Sequence, residues 1–146
     1  MRDRLAVLLL SLACCSLSSC GVHIIVHDEQ AAATAAAKFA DLAFVRSDYS
    51  GARALLSSQM RQALPMDKLA SVIAKAHPKA RPAEVAATEF EPLPGQQAMN
   101  IYLKGARGDE MFFYRLLMVG DKGSGYKVGG VWRGSGPYPP SARKPL

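Results

Sequence analysis

The chain has the length of one domain and is moderately basic. Its 146 residues include 18 Lys and Arg against 12 Asp and Glu, for a formal net charge of +6. A chain of this length holds a single domain with its own hydrophobic core. The basic residues are scattered singly instead of forming the clustered stripe of nucleic-acid-binding proteins, which argues against that class of partner.

The first twenty residues have the pattern of a secretory signal peptide. Arg2 and Arg4 open the chain, and residues 5–16 are almost wholly apolar. This apolar run is shorter than the roughly 20 residues that a helix needs to span a bilayer. A charged start followed by a short apolar run is typical of a cleaved export signal. The sequence therefore predicts an exported protein with a signal peptide over residues 1–19.

The segment "LSSC", residues 17–20, resembles a bacterial lipobox. An aliphatic residue, two small residues and Cys20 stand in that order directly after the apolar run. The resemblance implies that Cys20 receives a diacylglycerol, that the chain is cut before it, and that the new amino terminus is acylated as well. One acyl chain anchors a protein marginally, whereas two or more hold it firmly. Cys15 fits less well because it would place Cys14 at the cleavage position.

The mature chain that this processing would leave runs from Cys20 to Leu146. It has 127 residues, a net charge of +5 and no cysteine besides the lipidated one. Export permits disulfides, so their absence means that the core alone must stabilise the domain. Gly21 follows Cys20, and by resemblance to enterobacterial lipoproteins this residue favours the outer membrane over the inner one. We expect a lipid-anchored envelope protein with its domain in the periplasm, held by a tether over residues 20–29.

Helical periodicity dominates the first half of the mature chain. Residues 30–46 are rich in Ala, the best helix former, and predict a helix. A short second helix follows with Ser47 or Asp48 as its cap. A third helix begins at Pro65 and ends before Pro78, because proline disfavours a helical conformation in the residue that precedes it.

After residue 82 the apolar period changes from 3.6 to 2, which is typical of strands. Turn-forming Gly, Asp and Pro separate four predicted strands, at residues 84–91, 98–104, 111–119 and 126–133. Helices followed by antiparallel strands predict an α+β fold with the N-terminal helices packed on one face of the sheet. The four prolines of residues 134–146 predict a flexible tail.

Alternation along the last two predicted strands assigns their faces. The uncharged face of residues 111–119 carries Tyr114. In residues 126–133, Val128 and Trp132 lie opposite Lys127 and Arg133 if the alternation is unbroken. We therefore expect Tyr114, Val128 and Trp132 to face the helices.

The order of these elements is similar to that of small members of the nuclear-transport-factor-two-like superfamily, to which ketosteroid isomerase belongs. Two phrases carry the resemblance: "SDYSGARALLS" at residues 47–57 and "YKVGGVW" at residues 126–132. The resemblance covers residues 30–133 and implies a curved sheet wrapped round a long helix to form a cone. It also implies dimerisation through the open face of the sheet, as a homodimer. A cystatin-like domain without the cone pocket is the alternative.

Catalytic and metal-binding motifs do not stand out in this sequence. It has no nucleophile elbow, no paired Cys and His, and no phosphate-binding loop before a helix. Asp41 is interpreted as a surface residue and Asp48 as a helix cap. His23 and His27 have the spacing of two metal ligands but lie in the tether without a third. His77 stands at a helix end, where a charged ring complements the helix dipole. We therefore predict no metal site and no cofactor.

Three aromatic residues with polar tips are the candidate pocket residues: Tyr102, Tyr114 and Trp132. Ordinary packing on the strands is the alternative interpretation. The leading hypothesis is a non-catalytic, lipid-anchored binding or accessory protein that recognises a protein partner or a small apolar ligand near the membrane. An isomerase or dehydratase stays open; by the resemblance it would need a carboxylate or an imidazole inside the cone, and a buried carboxylate with a raised pKa would support it. A structural protein whose basic surface and tail contact anionic glycan also stays open.

Overall fold

The computed structural model describes residues 24–139 and 142–146, and these residues form an α+β fold. The helices come first in the chain and lie on one face of an antiparallel sheet. Helices within the described residues are α1 (Glu29–Ala40), a π-helical segment (Asp41–Val45), α2 (Tyr49–Ala54), α3 (Ser58–Ala63) and α4 (Met66–Ala76). The strands are β1 (Glu84–Pro92), β2 (Ala98–Arg107), β3 (Glu110–Asp121), β4 (Gly125–Gly134) and β5 (Lys144–Pro145).

The helix boundaries follow local capping signals. Asp28 caps α1 by accepting a hydrogen bond from the Ala31 N–H at 2.9 Å. Asp48 caps α2 in the same way, which confirms one of its two predicted caps. Helix α3 was not predicted from the sequence, because it buries none of its own residues and so shows no apolar periodicity.

The sheet has the strand order β4-β3-β2-β1-β5, with every neighbouring pair antiparallel. The four predicted strands are confirmed, and each extends one to three residues beyond the predicted range. The outer edge of β4 is partly covered by the turn after α2. There the Val128 N–H donates to the Leu55 carbonyl at 2.9 Å, and the Ser57 N–H donates to the Val128 carbonyl at 2.8 Å. These bonds occupy backbone groups that an edge strand otherwise exposes.

A β-bulge at Gly129 interrupts β4. Leu117 and Met118 are consecutive in β3, yet they pair with Gly130 and Val128, so Gly129 has no partner between them. One extra residue in a strand moves every later side chain to the other face of the sheet. The bulge therefore divides β4 into two parts with opposite alternation.

Because of the bulge, Trp132 lies on the outer face of the sheet, away from the helices. Its side chain is 43% exposed, and its register partner is Arg115 on that face. The prediction that Trp132 faces the helices is wrong for this reason. Tyr114 and Val128 lie on the helix-covered face as predicted, and the bulge brings Val131 and Arg133 there as well.

The C-terminal residues lie against the outer face of the sheet where the structure describes them. The Arg143 guanidinium pairs with the Glu89 carboxylate at 3.0 Å, and Lys144–Pro145 adds β5 to the edge of β1. The Tyr138 hydroxyl donates to the Trp132 carbonyl at 3.1 Å. These contacts differ from the flexible tail that the prolines predict. Proline content describes the intrinsic preference of a chain and takes no account of the aromatic and charged partners that the sheet supplies.

The core lies between α1, the π-helical segment, α4 and the inner face of β2–β4. Small Ala side chains on α1 let the helix approach the sheet closely, and larger residues fill the remaining space. The fully buried members include Ala32, Ala36, Phe39, Phe44, Met99, Ile101, Leu103, Phe112, Tyr114, Leu116 and Met118.

Candidate functional site

An apolar cavity of about 110 Å³ lies between the helices and the β3–β4 side of the sheet. A dry cavity of comparable size can hold a benzene ring, so this one suits an aromatic ring or the end of an alkyl chain. Val72 and Arg133 are exposed members of its wall and lie at its mouth. The wall is formed by Phe39, Phe44, Leu56, Met60, Leu64, Leu69, Val72, Ile73, Ala76, His77, Tyr114, Val131 and Arg133.

Two local features of the sequence build this cavity. Along α4, Leu69, Val72, Ile73 and Ala76 recur at helical spacing and form one apolar wall. On the sheet side, the β4 bulge turns Val131 and Arg133 towards the helices. Without the extra residue, the second half of β4 would present its other face to the cavity.

His77 and Tyr114 form a hydrogen-bonded pair in the cavity wall. The His77 Nδ1 lies 2.9 Å from the Ile73 carbonyl oxygen, which can only accept, so this nitrogen carries the proton. The His77 Nε2 therefore accepts the hydrogen bond from the Tyr114 hydroxyl at 2.8 Å. His77 is 6% exposed and Tyr114 1% exposed. The two polar tips thus satisfy each other inside a largely apolar wall.

The surroundings of the pair keep both groups neutral at neutral pH. Burial lowers the pKa of His77 against the raising effect of its Ile73 hydrogen bond, and the charges of Arg133 and Arg81 lower it further. Burial raises the pKa of Tyr114 well above its usual value. His77 thus lies at the helix end as predicted, but its lowered pKa favours the neutral ring. The neutral ring instead donates a hydrogen bond to a carbonyl in the last turn of α4.

The lowered pKa of His77 predicts a loss of stability in mild acid. The unfolded chain takes up a proton at this histidine near pH 6.5, whereas the folded chain does so only at lower pH. The free energy of unfolding should therefore fall as the pH drops below about 6.5, and His77 should contribute no pH dependence above it. Urea unfolding at pH 7.5 and pH 5.0 measures this loss. His77→Gln should show a smaller loss between the two values, and an equal loss in both proteins would contradict the prediction.

The three candidate pocket residues lie on opposite faces of the sheet. Tyr114 lines the apolar cavity. Tyr102 lies on the outer face, where its hydroxyl donates to the Glu91 carboxylate at 2.7 Å, and it lines a separate cavity of about 130 Å³ beside the tail. Trp132 stacks with the Arg115 guanidinium, 4.6 Å from its ring. The structure therefore does not bring the three together.

The acidic and imidazole candidates lie outside the cavity wall. Asp41 pairs with Arg46 at 2.7 Å on the surface, and Asp48 caps α2. His27 lies 3.5 Å from the Tyr126 hydroxyl, while His23 and Cys20 fall outside the described residues. Within the described part of the chain, no carboxylate lines the apolar cavity and no group of three His, Cys, Asp or Glu side chains could hold a metal ion.

His77 and Arg133 belong to this site although the sequence did not predict them there. His77 follows Ile73 by four residues and Leu69 by eight, so it continues the apolar face of α4. That spacing is a usable signal for a histidine packed against the core. For Arg133 the signal is the Gly129–Gly130 pair, because glycine inside a strand often marks a bulge.

The resemblance to the nuclear-transport-factor-two-like superfamily stays a prediction. The helices-first order and the antiparallel sheet agree with the α+β expectation.

No helix among the described residues has the length and apolar character that crossing a membrane requires. Comparisons with protein-family models, with curated proteins and with solved structures find no match for this chain.

Proposed function

We propose that this chain is a lipid-anchored protein of the bacterial envelope that binds a small apolar ligand in the cavity beside α4. The observation that carries the proposal is a wall that is apolar except for the His77–Tyr114 pair and Arg133. Small-molecule sites are typically concave and apolar, with a few placed polar groups that orient the ligand. Isomerase chemistry needs an acid or base at the substrate. No carboxylate lines the described cavity wall, and both ring nitrogens of His77 form hydrogen bonds within the protein, which favours binding.

The chemistry of the wall suits a ligand with one polar end. Each buried methylene of the ligand contributes about 0.8 kcal/mol to binding. The Tyr114 hydroxyl uses its hydrogen on His77, so its oxygen can still accept a hydrogen bond from a ligand hydroxyl or amide. A purely polar ligand would gain little in the cavity and would lose its hydration.

The course of the tether supports a ligand that enters from the periplasm. Ile24, the first described residue, follows the proposed lipidated cysteine by four residues, a span of at most about 14 Å. The tether passes the β3–β4 turn, where the Lys122 N–H donates to the Val26 carbonyl at 2.9 Å. Tyr114 lies seven residues back along β3 from Asp121, or roughly 23 Å. The cavity therefore lies towards the end of the sheet away from the proposed anchor.

Native mass spectrometry on protein extracted gently from its own membranes tests the proposal. We expect an added non-covalent mass of a few hundred daltons that survives mild activation. Val72→Trp should remove it, because the indole would fill the mouth of the cavity without disturbing buried residues. Lys75→Trp is the matched control, since Lys75 is an exposed α4 residue outside the cavity wall. A ligand-free wild type, or a ligand that persists in Val72→Trp, contradicts the proposal.

A further inference from the structure

We infer, building on the proposed function, that the ligand is an amphiphilic carboxylate whose apolar body occupies the cavity and whose acid group binds Arg133. Three observations lead to this ligand class: the position of the Arg133 side chain, the sign of the charge around the cavity, and the size of the apolar cavity.

Arg133 is held at the cavity mouth with donors to spare. Its Nη1 donates to the Ala76 carbonyl at the end of α4, and its guanidinium lies 5.0 Å from the centre of the Phe112 ring. A guanidinium has five N–H donors in a planar fork. Asp41 pairs with Arg46 and Glu89 with Arg143, and within the described residues no carboxylate forms an ion pair with Arg133. The guanidinium is thus held in place, and no acid of the described residues neutralises its charge.

The electrostatic balance at the polar side of the cavity is positive. Arg133 is the charged residue in the cavity wall, and its field reaches both His77 and Tyr114. Arg81, which donates to the Tyr49 hydroxyl at 2.8 Å, adds a second positive charge near His77. Glu110 acts on Tyr114 with the opposite sign but does not line the cavity. A site of this sign attracts an anion and disfavours a cation.

The geometry selects an acid that also has an apolar body. A carboxylate matches the guanidinium fork with two parallel hydrogen bonds. A free hydrated anion would leave the apolar wall unfilled, and an alcohol would leave the arginine without a counter-charge. Because the cavity holds about 110 Å³, it can bury a ring or a few methylenes while the acid stays at the exposed mouth.

Three probes with the same apolar body separate the headgroup from the cavity: 4-phenylbutyrate, 4-phenyl-1-butanol and 4-phenylbutylamine. Each is titrated by calorimetry at pH 7.5 against the full lipidated protein in nanodiscs, with empty nanodiscs as the blank. We expect the acid to bind most tightly, the alcohol less tightly and the amine least. Because hydrogen bonds to a charged group are stronger than those to a neutral one, the acid should be favoured over the alcohol by about tenfold or more.

Variants of the arginine assign the preference to this residue. Arg133→Gln should weaken binding of the acid by about tenfold and leave the alcohol nearly unchanged. Arg133→Lys keeps the positive charge but lacks the planar guanidinium. Its affinity for the acid should lie between those of the wild type and Arg133→Gln. Arg46→Gln, at an exposed arginine outside the cavity, is the matched control. A preference for the acid that survives Arg133→Gln overturns the inference.

The outcomes also separate this inference from the proposed function. Equal affinity for the acid and the alcohol overturns the carboxylate class but leaves an apolar binding site in place. A lack of binding by all three probes counts against the cavity as a ligand site and so against the proposed function itself. Tighter binding of the amine than of the acid would show that the site prefers a cation, which overturns the inference.

Discussion

Replacing Cys20 with serine should abolish lipid attachment and with it the firm hold of the mature chain on the membrane. The thiol is the atom that the proposed diacylglycerol modifies, and serine does not supply it. Each buried methylene of an acyl chain contributes about 0.8 kcal/mol to membrane binding. Loss of every acyl chain therefore lowers the partition coefficient of the mature chain between membrane and water by many orders of magnitude. Incorporation of labelled palmitate and the intact mass of the purified protein measure the effect.

Cys15→Ser is the matched control for this experiment. Cys15 belongs to the apolar run of the predicted signal peptide, so this variant should incorporate palmitate as the wild type does. The wild-type mass should equal that of a chain beginning at Cys20 plus a diacylglycerol and one further acyl group. Palmitate in the Cys20→Ser protein, or a wild-type mass without added lipid, would show that the anchor has been assigned wrongly.

Phe44→Ala should cost about 3–5 kcal/mol of unfolding free energy. The Phe44 ring is 2% exposed, stacks on Tyr114 with centroids 4.5 Å apart, and meets the edge of Phe39 at 5.9 Å. Its removal deletes these contacts with Tyr114 and Phe39 and enlarges the cavity that it lines. Domains of this size have a total stability of about 5–15 kcal/mol, so the variant should be close to unfolding at 37 °C. Urea unfolding at 25 °C measures the change.

Met111→Ala provides the comparison for a large apolar residue outside the core. Met111 lies on β3 but is 49% exposed, so its truncation should change the free energy of unfolding by less than about 1 kcal/mol. A similarly small effect for Phe44→Ala would contradict the assignment of the aromatic cluster to the core. Ligand binding by a folded Phe44→Ala protein would further show how strongly the cavity shape selects its occupant.

The absence of an acid from the described cavity wall bears on the enzymatic alternative. An isomerase or dehydratase needs a group that can take and return a proton at the substrate. The Nδ1–H of His77 donates to a carbonyl and its Nε2 accepts from Tyr114, so both ring nitrogens have partners within the protein.

Local signals in the sequence determined the element types and the fold class. Ala content predicted α1, the Asp48 side chain was placed to cap α2, and the change of period after residue 82 predicted four strands that the structure confirms. Each of these signals acts over three to eight residues, which is the range over which backbone hydrogen bonds and side-chain alternation are set. The helices-first order then restricted the architecture to helices on one face of a sheet.

Tertiary structure alone decided which side chains form the site. A single unpaired residue, Gly129, reversed the second half of β4, moved Trp132 outward and brought Arg133 to the cavity. His77 became a buried neutral partner of Tyr114, a residue 37 positions away in the sequence. Register and long-range pairing depend on how a strand fits its neighbour and on what packs above it. Neither can be read from the alternation of one segment, because a bulge preserves that pattern on each side and changes only its phase.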